Sequence, residues 1–92
     1  MNDITVEELK ARMEEGDVPI LIDVREPVEH EQFDIGGENL PLGDIVNWSE
    51  RLICPPETEI VVYCRSGNRS AMAKSYLTSR GFTGVRNLLG PS

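Results

Sequence analysis

The stretch from Glu59 to Gly81 allows this chain few folds. Ile60-Val61-Val62-Tyr63 is a short β-branched and aromatic run, as in a strand buried on both faces. Cys64 ends the run, and the polar loop Arg65 to Arg69 follows, with Gly67 able to take a positive φ without steric cost. From Ser70 the period changes. Ala73, Tyr76 and Leu77 recur at helical spacing with Lys74 and Ser75 opposite, and Arg80-Gly81 suits a last turn and stop. Strand, tight loop and helix in this order turn backbone N–H groups inward, beside the positive end of a helix dipole. Such a nest binds anions. The residue at its mouth is a thiol, and a helix N-terminus or a nearby arginine lowers a thiol's pKa and makes it nucleophilic. Arg65 and Arg69 flank it and stay charged.

The segment Cys64-Arg65-Ser66-Gly67-Asn68-Arg69-Ser70 resembles the active-site loop of single-domain rhodaneses, a family of sulfurtransferases. Three further segments agree in the right order. Leu21-Ile22-Asp23-Val24-Arg25-Glu26 is similar to the family's first buried strand and its turn. Phe33 to Leu42 resembles the segment written G-H-I-P-G-A-x-N-I-P, with Asp34 at the position of its His and Gly36 at that of its Pro. Gly81-Phe82 and Val85 to Gly90 match the closing turn and last strand. The resemblance implies a five-stranded, mostly parallel sheet in an α/β/α arrangement, with the Cys64 loop at the C-terminal edge of the strands. It also implies a covalent cycle. Cys64 takes a sulfane sulfur from an anionic donor such as thiosulfate, holds it as a persulfide, and passes it to a thiol or protein acceptor. The backbone of Arg65, Ser66, Gly67, Asn68 and Arg69 cradles that sulfur. Arg65 attracts the donor, and Arg69 braces the loop. No metal or organic cofactor is required.

Loop size separates this chemistry from a related one. Cys64 to Arg69 is C-x4-R, whereas cysteine phosphatases, some similar to rhodaneses in fold, use C-x5-R. A phosphate needs the wider cradle, and position 70 is Ser. A phosphatase relative stays open as a third reading. A non-enzymatic carrier or regulatory module using the same pocket is the second.

The remaining elements read as scaffold. Thr5-Val6-Glu7-Glu8 forms a capping box before a helix that presents Val6, Leu9 and Met13 on one face and ends at Gly16. Pro19 to Val24 is a central strand. Asp23 and Arg25, at its C-terminal end, form an ion pair that supports the loops. Glu26-Pro27 starts a short helix, on which His30 reads as a solvated imidazole between two glutamates. Asp44 to Ile53 is helical in pattern, with Ile45, Trp48 and Leu52 sharing a face and Cys54-Pro55-Pro56 stopping it. Cys54 reads as a structural or half-exposed thiol, with a resolving partner for Cys64 as the alternative, which needs the two Cα atoms within about 7 Å.

Ninety-two residues make one domain, 1–92, and a chain of this length buries only about 60–65% of its unfolded surface. A net charge of −7 argues against nucleic acid and anionic membranes as partners. No apolar run approaches transmembrane length. With two cysteines and no signal-peptide pattern at the N-terminus, a reducing cytoplasm is expected. Family members continue past the last strand with a second Gly and a short helix carrying a Trp. Here the chain stops at Gly90-Pro91-Ser92. The expectation is a monomer with one poorly covered sheet face, a candidate surface for self-association.

Overall fold

The computed structural model describes residues 2–89, so the expectation about the chain's end at Gly90 to Ser92 lies outside the described residues. Five strands alternate with helices: β1 (Ile4–Thr5), α1 (Val6–Glu14), β2 (Ile20–Asp23), α2 (Pro27–Gln32), β3 (Glu38–Asn39), a 3₁₀ turn (Leu42–Asp44), α3 (Ile45–Ser49), β4 (Ile60–Tyr63), α4 (Asn68–Ser79) and β5 (Val85–Leu89). The strands form one sheet in the order β1-β5-β4-β2-β3, parallel at every pairing. This is the expected α/β architecture. Parallel neighbours need crossovers, and the helices supply them.

β4 lies at the centre and all four of its residues are buried. Its alternation divides the core. Ile60 and Val62 pack with Ile22, Val24, Trp48, Ala73, Leu77 and Val85 beneath α3 and α4. Val61 and Tyr63 pack on the other face with Ile4, Leu9, Leu21 and Leu88, against α1. The capping box is present, with Glu8 N donating to Thr5 Oγ1 at 3.1 Å and Thr5 N to Glu8 Oε1 at 3.3 Å. Of the expected apolar face of α1, only Leu9 is buried, while Val6 and Met13 remain exposed. Gly37 takes φ +83 where a Cβ would stand 2.2 Å from the carbonyl oxygen of Leu21, so this turn after α2 requires glycine.

The helix expected over 44–53 is shorter. After α3 ends, Arg51 N and Leu52 N donate to Trp48 O and Ser49 O in i→i−3 bonds, and Ile53 is fully exposed. Pro55 disfavours helical geometry at Cys54 and keeps a helix from running through it, but that restriction does not reach back to Ser49, where α3 ends. Trp48 is core, its Nε1 donating to Pro41 O at 2.8 Å. α4 begins two residues earlier than the apolar period indicates, because Gly67 at φ +91 turns the chain directly into it.

Candidate active site

Parallel strands deliver their C-terminal ends to one edge. Cys64 follows β4 there, and Gly67 caps the start of α4, placing Asn68, Arg69 and Ser70 in its first turn. The first N–H groups of a helix have no partner within it. Here a sulfur atom takes the place usually filled by a capping oxygen. Gly67 N donates to Cys64 Sγ at 3.1 Å and Ser70 N at 3.4 Å, with Ser70 Oγ 3.3 Å from the same sulfur. Burial pushes the Cys64 thiol up. The Ser70 hydroxyl, then the N–H groups of Ser70, Gly67 and Ser66, favour the thiolate more strongly, so the net effect lowers its pKa. The cradle is thus displaced from the expected span. Asn68 N turns to Ser66 Oγ at 3.4 Å instead, while Ser70, outside that span, contributes both of its polar groups.

Behind Ser70 stands Asn87 of β5, also buried. Its Oδ1 accepts from Ser70 Oγ at 2.5 Å, its Nδ2 donates to Gly67 O at 3.2 Å, and its N–H donates to Asp3 Oδ1 at 3.0 Å. Sequence reasoning missed Asn87. The signal available was a polar residue facing inward between Val85 and Leu88.

Arg69 grips Glu29 of α2 through both ends, Nη1 to Oε1 at 2.7 Å and Nη2 to Oε2 at 2.9 Å. That guanidinium, with the N–H of Glu26, holds the Glu29 carboxyl down to about 2. Arg65 is exposed at the loop tip. Asp23 is fully buried, and Arg25 reaches it through Nε (2.9 and 3.1 Å), Nη2 (2.7 Å) and its own backbone N–H (2.9 Å). Arg25 Nη2 also donates to Phe33 O, and its guanidinium lies 5.7 Å from the centroid of the Tyr63 ring. Burial pushes the Asp23 carboxyl up, but the bonds from Arg25 outweigh it and the pKa falls. His30 is not a solvated imidazole. Its Nδ1 lies 2.8 Å from Asp23 Oδ2, because the first turns of α2 fold back over the end of β2. α2 therefore holds the buried carboxylate through His30 and the Cys64 loop through Glu29. Cys54 is a free, half-buried thiol packed against the α3–α4 core.

Residues 5–90 match the Rhodanese-like domain family. The chain belongs to that family. Among curated proteins it is 37% identical over 92 residues to a protein named Sulfurtransferase from Allochromatium vinosum, covering 98% of this chain and 83% of that one. It is 33% identical over 70 residues to Thiosulfate Sulfurtransferase PspE of Escherichia coli, covering 75% and 67%. It is 36% identical to the chloroplastic Rhodanese-like/PpiC domain-containing protein 12 of Arabidopsis thaliana, of whose length it spans only 32%. Among solved structures it superimposes on the human single-domain sulfurtransferase TSTD1 with a TM-score of 0.78 at 26% identity, covering 98% and 90% of the two chains. With a Staphylococcus saprophyticus protein the TM-score is 0.85 at 27% identity, covering 98% and 88%. The two solved structures share this chain's fold. Among the described residues no helix is long and apolar enough to cross a membrane.

Proposed function

We propose that this single domain, 1–92, is a sulfurtransferase that carries sulfane sulfur on Cys64. The observation that supports this best is the seat of Sγ at the start of α4, where Gly67 N–H, Ser70 N–H and the Ser70 hydroxyl converge on one sulfur. The thiolate attacks the outer sulfur of a donor such as thiosulfate. A Cys64–sulfur bond forms, the donor's S–S bond breaks, and sulfite leaves with the electron pair. The persulfide keeps one negative charge, which the same N–H groups stabilise by preorganised hydrogen bonding. A second thiophile, cyanide in an assay or a thiol in the cell, then takes the outer sulfur and returns Cys64 as thiolate. Arg65, exposed at the loop tip, draws the anionic donor, and Arg69 fixes the loop through Glu29. Names of the relatives agree with this reading, and the C-x4-R loop favours it over phosphate hydrolysis.

The test is mass spectrometry after incubation with thiosulfate, alongside a thiosulfate-to-cyanide assay. Wild type and Cys54→Ser should gain one sulfur and turn over, and Cys64→Ser should do neither. A folded Cys64→Ser variant that still gains sulfur, or a wild type that never does, overturns the reading. Sulfur gain without turnover to cyanide or any thiol supports the carrier reading instead.

A further inference from the structure

Asn87 is a polar residue on an apolar face. It follows Val85 by two residues on β5, so the two side chains share a side of the sheet. Val85 packs there with Val62, Ala73 and Leu77 beneath α4. A leucine would fill such a place without needing a partner, whereas a buried amide costs stability unless it is paired. Asn87 is buried, and both ends of its amide meet residues of the Cys64 cradle. Its backbone is held as well. Asn87 N donates to Asp3 Oδ1 at 3.0 Å, and the same oxygen receives Lys74 Nζ of α4 at 2.6 Å.

The partners fix which way the amide points. Gly67 O can only accept, so the atom 3.2 Å from it is the Nδ2 donor, and Oδ1 faces Ser70. Oδ1 carries no proton, so at 2.5 Å the Ser70 hydroxyl donates to it. The Gly67 carbonyl has two lone pairs. Ala71 N takes one at 3.0 Å and Asn87 Nδ2 takes the other. That occupancy decides what Ser70 can do. A serine inside a helix commonly turns its hydroxyl back to a carbonyl three or four residues earlier. Gly67 O is that carbonyl, 3.2 Å away. With it filled, the hydroxyl proton has two places to go, Asn87 Oδ1 and Cys64 Sγ at 3.3 Å. Passing between them needs only rotation of the hydroxyl.

We propose that Asn87 is a positioning residue for sulfur transfer, closing Gly67 O to the Ser70 hydroxyl and holding that hydroxyl's proton until Cys64 Sγ carries charge. The transfer cycle itself rests on the persulfide reading of Cys64. In the thiol, Ser70 Oγ donates to Asn87 and accepts from Sγ–H. In the thiolate the hydroxyl turns and donates to Sγ. When the donor's outer sulfur bonds to Sγ, sulfite leaves with the electron pair of the broken S–S bond. The negative charge then resides on the outer sulfur, and the hydroxyl turns back to Asn87. A thiolate acceptor attacks the outer sulfur and leaves as R–S–S⁻. The pair of the Cys64 S–S bond returns to Sγ, and the hydroxyl turns to meet it. Its proton stays on Oγ throughout, and no oxidant or reductant is consumed.

The pH midpoint of Cys64 alkylation, read in the Cys54→Ser background, reports the thiolate and needs no sulfur donor. Asn87→Leu opens Gly67 O, so the hydroxyl bonds there and the midpoint should rise by about one pH unit, a tenfold change in the thiol–thiolate equilibrium. Ser70→Ala should raise it as much. The Ser70→Ala, Asn87→Leu double variant should go no further, because Asn87 acts through that hydroxyl. A change that only loosened the fold would add to the effect of Ser70→Ala. With Asn87 intact, the NMR signals of its side-chain amide should shift at the Cys64 midpoint and stay still in Ser70→Ala, while the Gly67 N–H signal shifts in both. A lower midpoint in Asn87→Leu would make Asn87 a rival for the proton and overturn the proposal. Additive rises overturn it too. So does an Asn87 amide that ignores the Cys64 midpoint, a result that requires no substitution at Asn87 and holds even if Asn87→Leu fails to fold. A wild type that shows the expected midpoints and amide shifts but gains no sulfur from thiosulfate keeps the positioning role and loses the persulfide reading.

Discussion

Cys64 is set apart by what surrounds its sulfur, and Ser70 supplies most of that. The Ser70 hydroxyl has a single proton and three acceptors within reach: Asn87 Oδ1 at 2.5 Å, Gly67 O at 3.2 Å and Cys64 Sγ at 3.3 Å. A neutral thiol leaves that proton with Asn87, whereas a thiolate competes for it. Ser70→Ala keeps the backbone N–H and deletes this bond. The pH midpoint of Cys64 alkylation, read in a Cys54→Ser background, should rise. At neutral pH kcat/KM for thiosulfate should fall about tenfold, as for losing ~1.5 kcal/mol of hydrogen bonding to a charged atom. An unmoved midpoint would leave only the backbone as the source of activation. The sequence displayed Cys64, Gly67 and the two arginines openly because they are adjacent in the chain. Ser70 was concealed by its ordinary role as a first-turn helix residue, and Asn87 by a separation of seventeen residues that only strand pairing closes.

Among the elements, α2 has a task out of proportion to its size. It has six residues and none is buried, yet Glu29 clamps the Cys64 loop and His30 touches the buried Asp23. The Arg69–Glu29 pair is a two-pronged fork, which lysine cannot reproduce. Arg69→Lys and Glu29→Gln should each lower kcat/KM by about threefold to tenfold, and the double variant should be little worse than either alone, since residues acting through one contact are not additive. Fully additive losses would show that the two side chains act separately. β4, the Cys64 loop and α4 were legible from local pattern alone, as an apolar run and a change of period. The links from α2 were not, because an amphipathic pattern states which side of a helix faces inward and does not say what its polar residues meet. For the same reason His30 reads as solvated between Glu29 and Glu31, although the fold brings it to Asp23. The stop before Cys54 was legible in Pro55-Pro56, whereas the end of α3 at Ser49 was not, because a proline restricts only the residue before it.

Across the whole molecule, several carboxylates titrate below their ordinary range. In Glu29 and Glu59 the largest influence is a bond from an arginine, Arg69 or Arg12. In Asp3 and Asp23 burial acts the other way and is outweighed by bonds from Lys74 or Arg25. Each group has a lower pKa folded than unfolded, so on acidification the unfolded chain binds protons first. The stabilisation is complete above the unfolded values of 3.8 for Asp and 4.5 for Glu, and is lost as pH falls through the folded values. The urea midpoint should be nearly level from neutrality to about pH 5 and then fall steeply toward about pH 2. Glu29→Gln should flatten that fall, and an equally steep fall in the variant would exclude Glu29 as a contributor.

The position of β5 bears on how the protein is made. The last described strand, β5, does not join the sheet at its margin; it enters between β1 and β4, and among the described strands β1 pairs with it alone. Synthesis proceeds from the N-terminus, so residues 4–79 leave the ribosome while the slot for β5 is still empty. During that interval β1 has no neighbour, and Ser70 and Gly67 lack the amide of Asn87 that ties them together. A nascent chain therefore exposes Cys64 as a thiol short of its full activation, less prone to capture stray sulfur or oxidant. Reactivity arrives with β5, when that strand fills its slot and the fold closes around Cys64.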